Sequence, residues 1–353
     1  MTPRTGAAGG YRGAVQPAVD WDLAARLAAR AVRTGPEATQ AEREDVVAAL
    51  RAAAPEAVAH VARLTRLVPA AAPTGAVAHD VRVVDRASWA RANVRSLRSL
   101  AERAGVPAAH GVRATAGAGQ VAAVLGLLSG SVLGQYDPWH PPGTLLLVAP
   151  NVLAVERALR LDPADFRLWV TLHEQTHALQ FAAAPWLTDH LAARVAALLA
   201  DEEHSRRRLP GASRDRAGGG RAGGGRSVLD LLDPRQRGVV DEVGAVMALL
   251  EGHADVTMDA AGRGAVPSVR RIRRRFEARR SGAPGTGAMR RVLRALLGAD
   301  VKLAQYRDGA AFVRAVRRSV GTDGLNAVWT GAEALPTPAE IADPAAWVRR
   351  VHG

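Results

Sequence analysis

The stretch Trp169-Val-Thr-Leu-His173-Glu174-Gln-Thr-His177-Ala-Leu-Gln-Phe181 decides how the rest of the chain is read. It spells H-E-x-x-H in an apolar helical setting. Residues four apart on a helix share a face, so the imidazoles of His173 and His177 can grip one Zn²⁺. Glu174 lies beside them, placed to take a proton from a water at that ion. Chance would put about 0.01 such pentapeptides in a chain of this composition. Leu172, Ala178, Leu179 and Phe181 make the surroundings apolar, and two His and a Glu there are costly unless paired or metal-bound. The bland alternative is an amphipathic helix whose polar face happens to spell the motif.

Working outward, the first question is what completes the ligand set. The chain has no Cys, which excludes disulfides and thiolate metal sites. Zinc would have to be held by His and carboxylates. One zinc-site pattern takes a histidine six residues past the second, with a glycine midway. Gln180 and Ala183 occupy those places, so that subclass is excluded. A later helix supplies a better candidate. Asp233-Pro234 caps a segment running to about Gly262, with an apolar stripe of Val239, Val243, Val246, Met247, Leu250 and Met258. It carries Leu250-Glu251-Gly-His253-Ala-Asp255. Two-His-one-Glu sites take their third ligand from such a helix, which assigns Glu251. Asp255, one turn later, would accept a hydrogen bond from a ligating imidazole, with His173 as the expected partner. Water would take the fourth position. His253 is the rival ligand, but it lies about 200° around the helix from Glu251. The bland reading of Glu251 and Asp255 is an ordinary exposed pair.

The helix that bears His173 and His177 should open at Asp162-Pro163 and stop before Pro185, with a second helix from about Trp186 to Arg207. On that helix His190 and His204 read as surface or packing residues. Just upstream, Ser131 to Tyr136 and Thr144 to Ala149 read as strands around a Pro-rich loop, and an edge strand there could pair with an extended peptide. His140, in the loop, has no carboxylate at ligand spacing. Further back, the spacing predicts helices at Trp21–Val32, Gln40–Ala54, Pro55–Thr65, Ser88–Ala104 and Val121–Leu128. Thr39 and Glu42 form a capping box for the second of these. Asp80–Val84 should be a short strand. Beyond Gly262, helices are expected at Pro267–Arg280, Met289–Leu297, Val301–Val320 and Ala339–Val351. Leu335–Ile341 and Trp347 should close the domain structurally. Tyr306 is a phenol that could stabilise an oxyanion near a metal, or simply pack.

The fold class is therefore mainly α with a small β-sheet (α+β). Residues 1–18 read as disordered, 19–110 as an N-terminal helical region and 111–353 as the catalytic domain, with a flexible Gly/Arg loop at 210–226. The first residues lack a signal-peptide core. The longest apolar run, Val121 to Leu133, is too short for a bilayer, so a soluble, cytoplasmic protein with no membrane partner is expected. The formal net charge is +13, and Lys302 is the only lysine. An Arg, Ala and Gly excess is a mark of GC-rich coding as much as of a nucleic-acid surface. The densest run, Arg270–Arg280, is the best candidate patch for an acidic partner but carries no recognisable nucleic-acid motif, and its bland and favoured reading is a solvated helix face.

Four motifs carry a family resemblance: His173-Glu-Gln-Thr-His177-Ala-Leu-Gln-Phe181, Glu251-Gly-His-Ala-Asp255-Val-Thr-Met-Asp259, Lys302-Leu-Ala-Gln-Tyr-Arg-Asp-Gly309 and the Leu-Pro-Thr ending. Together they resemble the actinobacterial zincin-like metallopeptidase family, whose members are often labelled hydrolases or proteins associated with deazaflavin coenzyme biosynthesis. The resemblance covers roughly residues 80–353. It implies a zincin-type helical fold with a small sheet, zinc on His173, His177 and Glu251, and Glu174 as acid/base. No deazaflavin-binding residue is visible. The expected activity is zinc-dependent hydrolysis of a peptide or protein substrate. The alternatives are a zinc hydrolase of small amides in cofactor metabolism, or a basic interaction protein binding nucleic acid through Arg270–Arg280.

Overall fold

The computed structural model describes residues 19–71, 79–106, 109–208, 233–281 and 305–353. In chain order its elements are α1 (Trp21–Ala31), α2 (Gln40–Thr65), β1 (Asp80–Val84), α3 (Arg86–Arg103), α4 (Val112–Leu128), β2 (Gly134–Asp137) and β3 (Thr144–Val148). Then follow α5 (Ala149–Ala158), α6 (Pro163–Ala183), α7 (Trp186–Arg208), α8 (Pro234–Ala265), α9 (Val269–Ser281), α10 (Gln305–Leu325), α11 (Pro338–Ala342) and α12 (Pro344–His352). This is the mainly helical α+β class expected. The Gly/Arg loop at 210–226 and the expected helix at 289–297 lie outside the described residues.

The helix starts follow side-chain chemistry. Asp162 accepts from the Asp165 amide at the head of α6, and Asp233 from the Arg235 and Gln236 amides at the head of α8. In both, proline fills the first turn, where its missing N–H would be unpaired anyway. Thr39 and Glu42 make the expected capping box for α2.

Two expectations need correction. Pro55 does not start a new helix: α2 runs unbroken through it. The proline removes one internal hydrogen bond, but Leu50, Ala53, Ala57 and Val61 stay buried in one core along the whole helix, and that packing outweighs the local loss. Conversely, the single helix expected at Ala339–Val351 is two. Asp343 leaves helical geometry to cap Pro344 onward, accepting from the Ala346 amide.

The three strands form one sheet in the order β1–β3–β2, with β1 parallel and β2 antiparallel to the central β3. β3 reads Thr-Leu-Leu-Leu-Val because both its faces are covered. Leu145 and Leu147 enter a large core with residues of α2, α6, α8 and α10. Leu146 and Val148 enter a smaller one with Trp89, Ala24, Ala28, Ala118 and Leu125, from α1, α3 and α4. The sheet lies between the two cores, and α2 belongs to the first.

β2 shows the period of two most usefully. Gln135 accepts from Trp89 Nε1 at 3.0 Å and donates to Asn93 at 3.0 Å, and Asp137 accepts from Ser96 at 2.7 Å, all on α3. Gly134 and Tyr136 face α6. His140 is likewise structural: its Nδ1 meets Asp137 at 3.2 Å and its Nε2 meets Ser99 at 2.9 Å, tying the Pro-rich loop to α3. At the C-terminal end, Trp347 is fully buried and donates to the Ala334 carbonyl at 2.8 Å, the closure expected there.

Candidate metal centre

Helix α6 is held from behind by α2 and crossed in front by α8. Gln175 donates to the Ala54 carbonyl at 3.2 Å, fixing the rotation of α6 so that His173 and His177 face α8. α8 in turn lies against α10 with its backbone in near contact. A Cβ on Gly252 would stand 2.2 Å from the Gly309 carbonyl carbon, and one on Gly309 would stand 2.0 Å from the Ala248 carbonyl oxygen. Those two glycines, both inside the quoted motifs, let the helices approach and set the height of Glu251 over α6.

The result is a compact triangle. His173 Nε2 lies 3.1 Å from His177 Nε2. Glu251 Oε2 is 3.5 Å from the first imidazole nitrogen, and its Oε1 is 3.9 Å from the second. The imidazole planes are nearly perpendicular, at 88°. One donor atom from each of the three residues falls within 4.8 Å of the others, which makes this group a possible metal site. Tetrahedral zinc with bonds of about 2.0–2.1 Å places neighbouring ligand atoms about 3.3 Å apart. The triangle fits that geometry with small side-chain adjustment.

Electrostatics favour a cation here. Burial opposes a proton on His173 but is outweighed by the hydrogen bond to Glu251 and the charges of Glu174, Glu251 and Asp255, which raise its pKa to about 9. Burial lowers that of His177, and the charge on His173 adds to the effect. Burial also pushes the Glu174 carboxyl up to about 7, opposed by His173 and reinforced by Glu251. Glu174 sits against β2, where a Cβ at residue 134 would come 2.5 Å from its Cγ, so glycine at that place lets the Glu174 side chain lie where it does.

The structure differs from expectation behind the ligands. Asp255 does not receive the His173 hydrogen bond. His173 Nδ1 instead lies 3.0 Å from Met258 Sδ. Asp255 is drawn to Arg273 of α9, which approaches its carboxylate at 3.4 Å and donates to its backbone carbonyl at 2.8 Å. A reading of α8 alone could not foresee a cation from α9. His177 has a partner that sequence reasoning passed over. Its Nδ1 donates to Gln180 Oε1 at 2.9 Å, and Gln180 Nε2 donates to the Leu250 carbonyl and to His253 Nδ1, both at 3.0 Å. This network puts the His177 proton on Nδ1 and leaves the Nε2 lone pair facing the triangle. The available signal was a fully buried glutamine three residues past the second histidine.

The rival ligand, His253, is buried elsewhere. Its ring lies 5.5 Å from that of Trp329, and burial, aided by the charges of Arg317 and His177, lowers its pKa to about 3. Tyr306 is in the first turn of α10, and its side chain lies outside the described residues.

A family model described as zincin-like metallopeptidase matches residues 19–348. The chain belongs to this family. Membership implies a hydrolase and a divalent metal, usually zinc. Among solved structures, this zincin-like protein is similar to one from Chloroflexus aurantiacus described as a "putative hydrolase with a novel fold". The two are 29% identical with a TM-score of 0.66, over 94% of this chain and 98% of that one. No curated protein matches it. Among the described residues, no helix of the zincin-like chain is long and apolar enough to cross a membrane.

Proposed function

We propose that this zincin-like protein is a zinc-dependent metallopeptidase. The single observation that carries the reading is the triangle of His173, His177 and Glu251, whose edges suit a tetrahedral zinc ion. When bound, zinc supplies a Lewis acid for a substrate carbonyl and acidifies water. His173, His177 and Glu251 hold it through two neutral nitrogens and one carboxylate oxygen. Gln180 fixes the His177 tautomer by accepting at Oε1. Glu174 takes the proton of the attacking water on its carboxylate and returns it to the leaving amine.

β2 supports a peptide rather than a small amide as substrate. It is an edge strand of the sheet, antiparallel to β3, and it packs beside Glu174 through Gly134. An extended chain bonded alongside such a strand would bring its carbonyls towards the same helix face.

The test is the Glu174→Gln variant with a peptide library and a panel of small amides. The variant should keep stoichiometric zinc and lose hydrolysis by about 10²- to 10⁴-fold, the usual contribution of a positioned acid/base. Undiminished turnover in Glu174→Gln, or turnover of small amides alone, would overturn the reading.

A further inference from the structure

The Arg-rich segment of α9 is sorted by its contacts into two sets. Arg271 donates to the Arg160 carbonyl at 3.0 Å, and Arg275 donates to the carbonyls of Leu159 and Arg160. These two pin α9 to the end of α5. Arg273 is consumed by Asp255 and Asp259, and it also lies 5.5 Å above the Trp169 ring. Arg270 and Arg274, four residues apart, have no hydrogen bond or ion pair to any described residue, and neither does Arg263 at the end of α8. These three converge on one cavity of about 480 Å³, lined also by Asp259, Gly262 and Arg273.

The one carboxylate of that lining is already neutralised. Asp259 meets Arg273 at 2.6 Å and Arg314 at 3.1 Å. Among the described residues, the guanidiniums of Arg263, Arg270 and Arg274 have no carboxylate partner, so they present positive charge to whatever enters. Gly262 shapes the cavity: its φ of 63° and ψ of −171° are open to glycine and bend the end of α8 so that Arg263 turns towards α9.

The cavity lies about two turns further along α8 than the metal centre, since Glu251 belongs to the one and Asp259 to the other. Glu251, Asp255 and Asp259 follow one another at one-turn spacing along α8, with side-chain exposures of 22%, 35% and 36%. Their side of the helix opens to solvent as it leaves the ligands. On α6, Trp169 stands one turn before His173 at the same end. From residue 251 to residue 259 is about 12 Å along the helix axis. That is the reach of about four residues of extended peptide.

We propose that this cavity is an anion subsite for the substrate chain: Arg263, Arg270 and Arg274 bind an acidic side chain or carboxylate about four residues from the bond held at the metal. The inference rests on the peptidase reading for its substrate and names the class, a peptide with an acidic segment. A nucleic-acid strand fits less well. Trp169, under Arg273, and Phe276 pack against each other with ring centroids 5.1 Å apart and planes tilted by 50°, so among the described residues no open aromatic platform accompanies the charge. The free cations are gathered where the end of α8 meets the first half of α9, not strung out along a backbone-length track.

The test measures binding rather than turnover, on the full-length Glu174→Gln protein, so that it stands apart from the question of hydrolysis. Acetylated tetraglutamate, acetylated tetraglutamine, inorganic phosphate and a short single-stranded oligonucleotide are titrated by calorimetry at one fixed ionic strength. The same titrations are run on two further double variants, Arg270→Gln/Arg274→Gln and Arg91→Gln/Arg95→Gln. The second pair is exposed on α3, away from the cavity, and removes the same charge. The tetraglutamate should bind, the tetraglutamine should not, and the α9 double variant should weaken binding about ten-fold, as expected for two lost charge contacts. The α3 variant should stay within about two-fold of the parent. Equal weakening in both variants would reduce the effect to net charge and overturn the proposal. So would phosphate binding as tightly as the peptide, which would mark a small-ion site. Tighter binding of the oligonucleotide, lost in the α9 variant, would assign the cavity to nucleic acid instead.

Discussion

Helix α6 takes part in two clusters of ionisable groups, one around buried Arg167 and one around half-buried His173 and His177, that are satisfied in opposite ways. At Arg167 the match is closed. Its guanidinium meets Glu156 through two bonds of 3.0 and 3.1 Å and Asp45 through one of 2.7 Å, joining α6 to α5 and α2. Donors and acceptors face each other, and no further group is needed. At His173 and His177 the match is open. Two ring nitrogens and a carboxylate turn their lone pairs towards one shared point, 3.1–3.9 Å apart. Lone pairs do not satisfy each other, so this arrangement is stable with a proton or a metal cation in it. The same helix thus holds a device for stability and a device for binding, and burial alone does not distinguish them. The direction of the donors does.

Breaking the closed cluster should cost fold and spare metal. Glu156→Ala leaves the buried Arg167 guanidinium with Asp45 as its remaining carboxylate partner and should lower stability by about 2–3 kcal/mol. Denaturant unfolding measures it, with zinc stoichiometry unchanged in protein that remains folded. A loss of zinc in the folded variant would mean the two clusters are not independent.

The open cluster can be probed without touching a ligand. Gln180→Leu removes the acceptor that fixes the His177 tautomer and should weaken zinc affinity by about 10- to 100-fold. Competition with a chelator reads this directly. His253→Ala removes only the far end of the same network and should leave affinity within a few-fold, so equal losses in the two variants would reassign the critical contact.

The smallest effect calibrates the others. Glu340 pairs with Arg350 at 2.6 and 2.9 Å near the C-terminus, with the arginine side chain 38% exposed. Arg350 holds the Glu340 carboxyl below its ordinary value, against the effect of burial, with help from Thr337. A lowered carboxyl contributes stability above its unfolded-state pKa of about 4.3 and loses it as pH falls through the folded value. Glu340→Gln should therefore cost about 1 kcal/mol at neutral pH, with solvent screening keeping it small. The difference from the parent should shrink below about pH 4. A gap that persists in acid would show that shape, not charge, holds this corner.

Much of this was legible in the sequence because local rules decided it. The capping residues Asp162 and Asp233 mark the heads of both site helices, and H-E-x-x-H with Glu251 marks the three groups that meet. What could not be read depended on distant elements. Pro55 signals a break, but the core along α2 overrides it. Asp255 looks like a histidine partner until Arg273 arrives from α9. Gln180 looks only like the absence of a turn glycine, yet its side chain reaches both the imidazole of His177 and the backbone of α8. Gly252 and Gly309 read as ordinary residues of their motifs until the two helices are brought together.

The most direct measurement is the zinc content of purified protein by elemental analysis, for the parent and for the Glu174→Gln, Glu251→Ala and His253→Ala variants. One zinc per chain is expected in the parent, in Glu174→Gln and in His253→Ala, and a loss of zinc in Glu251→Ala. Full zinc in Glu251→Ala, together with its loss in His253→Ala, would contradict the ligand set and the chemistry built upon it.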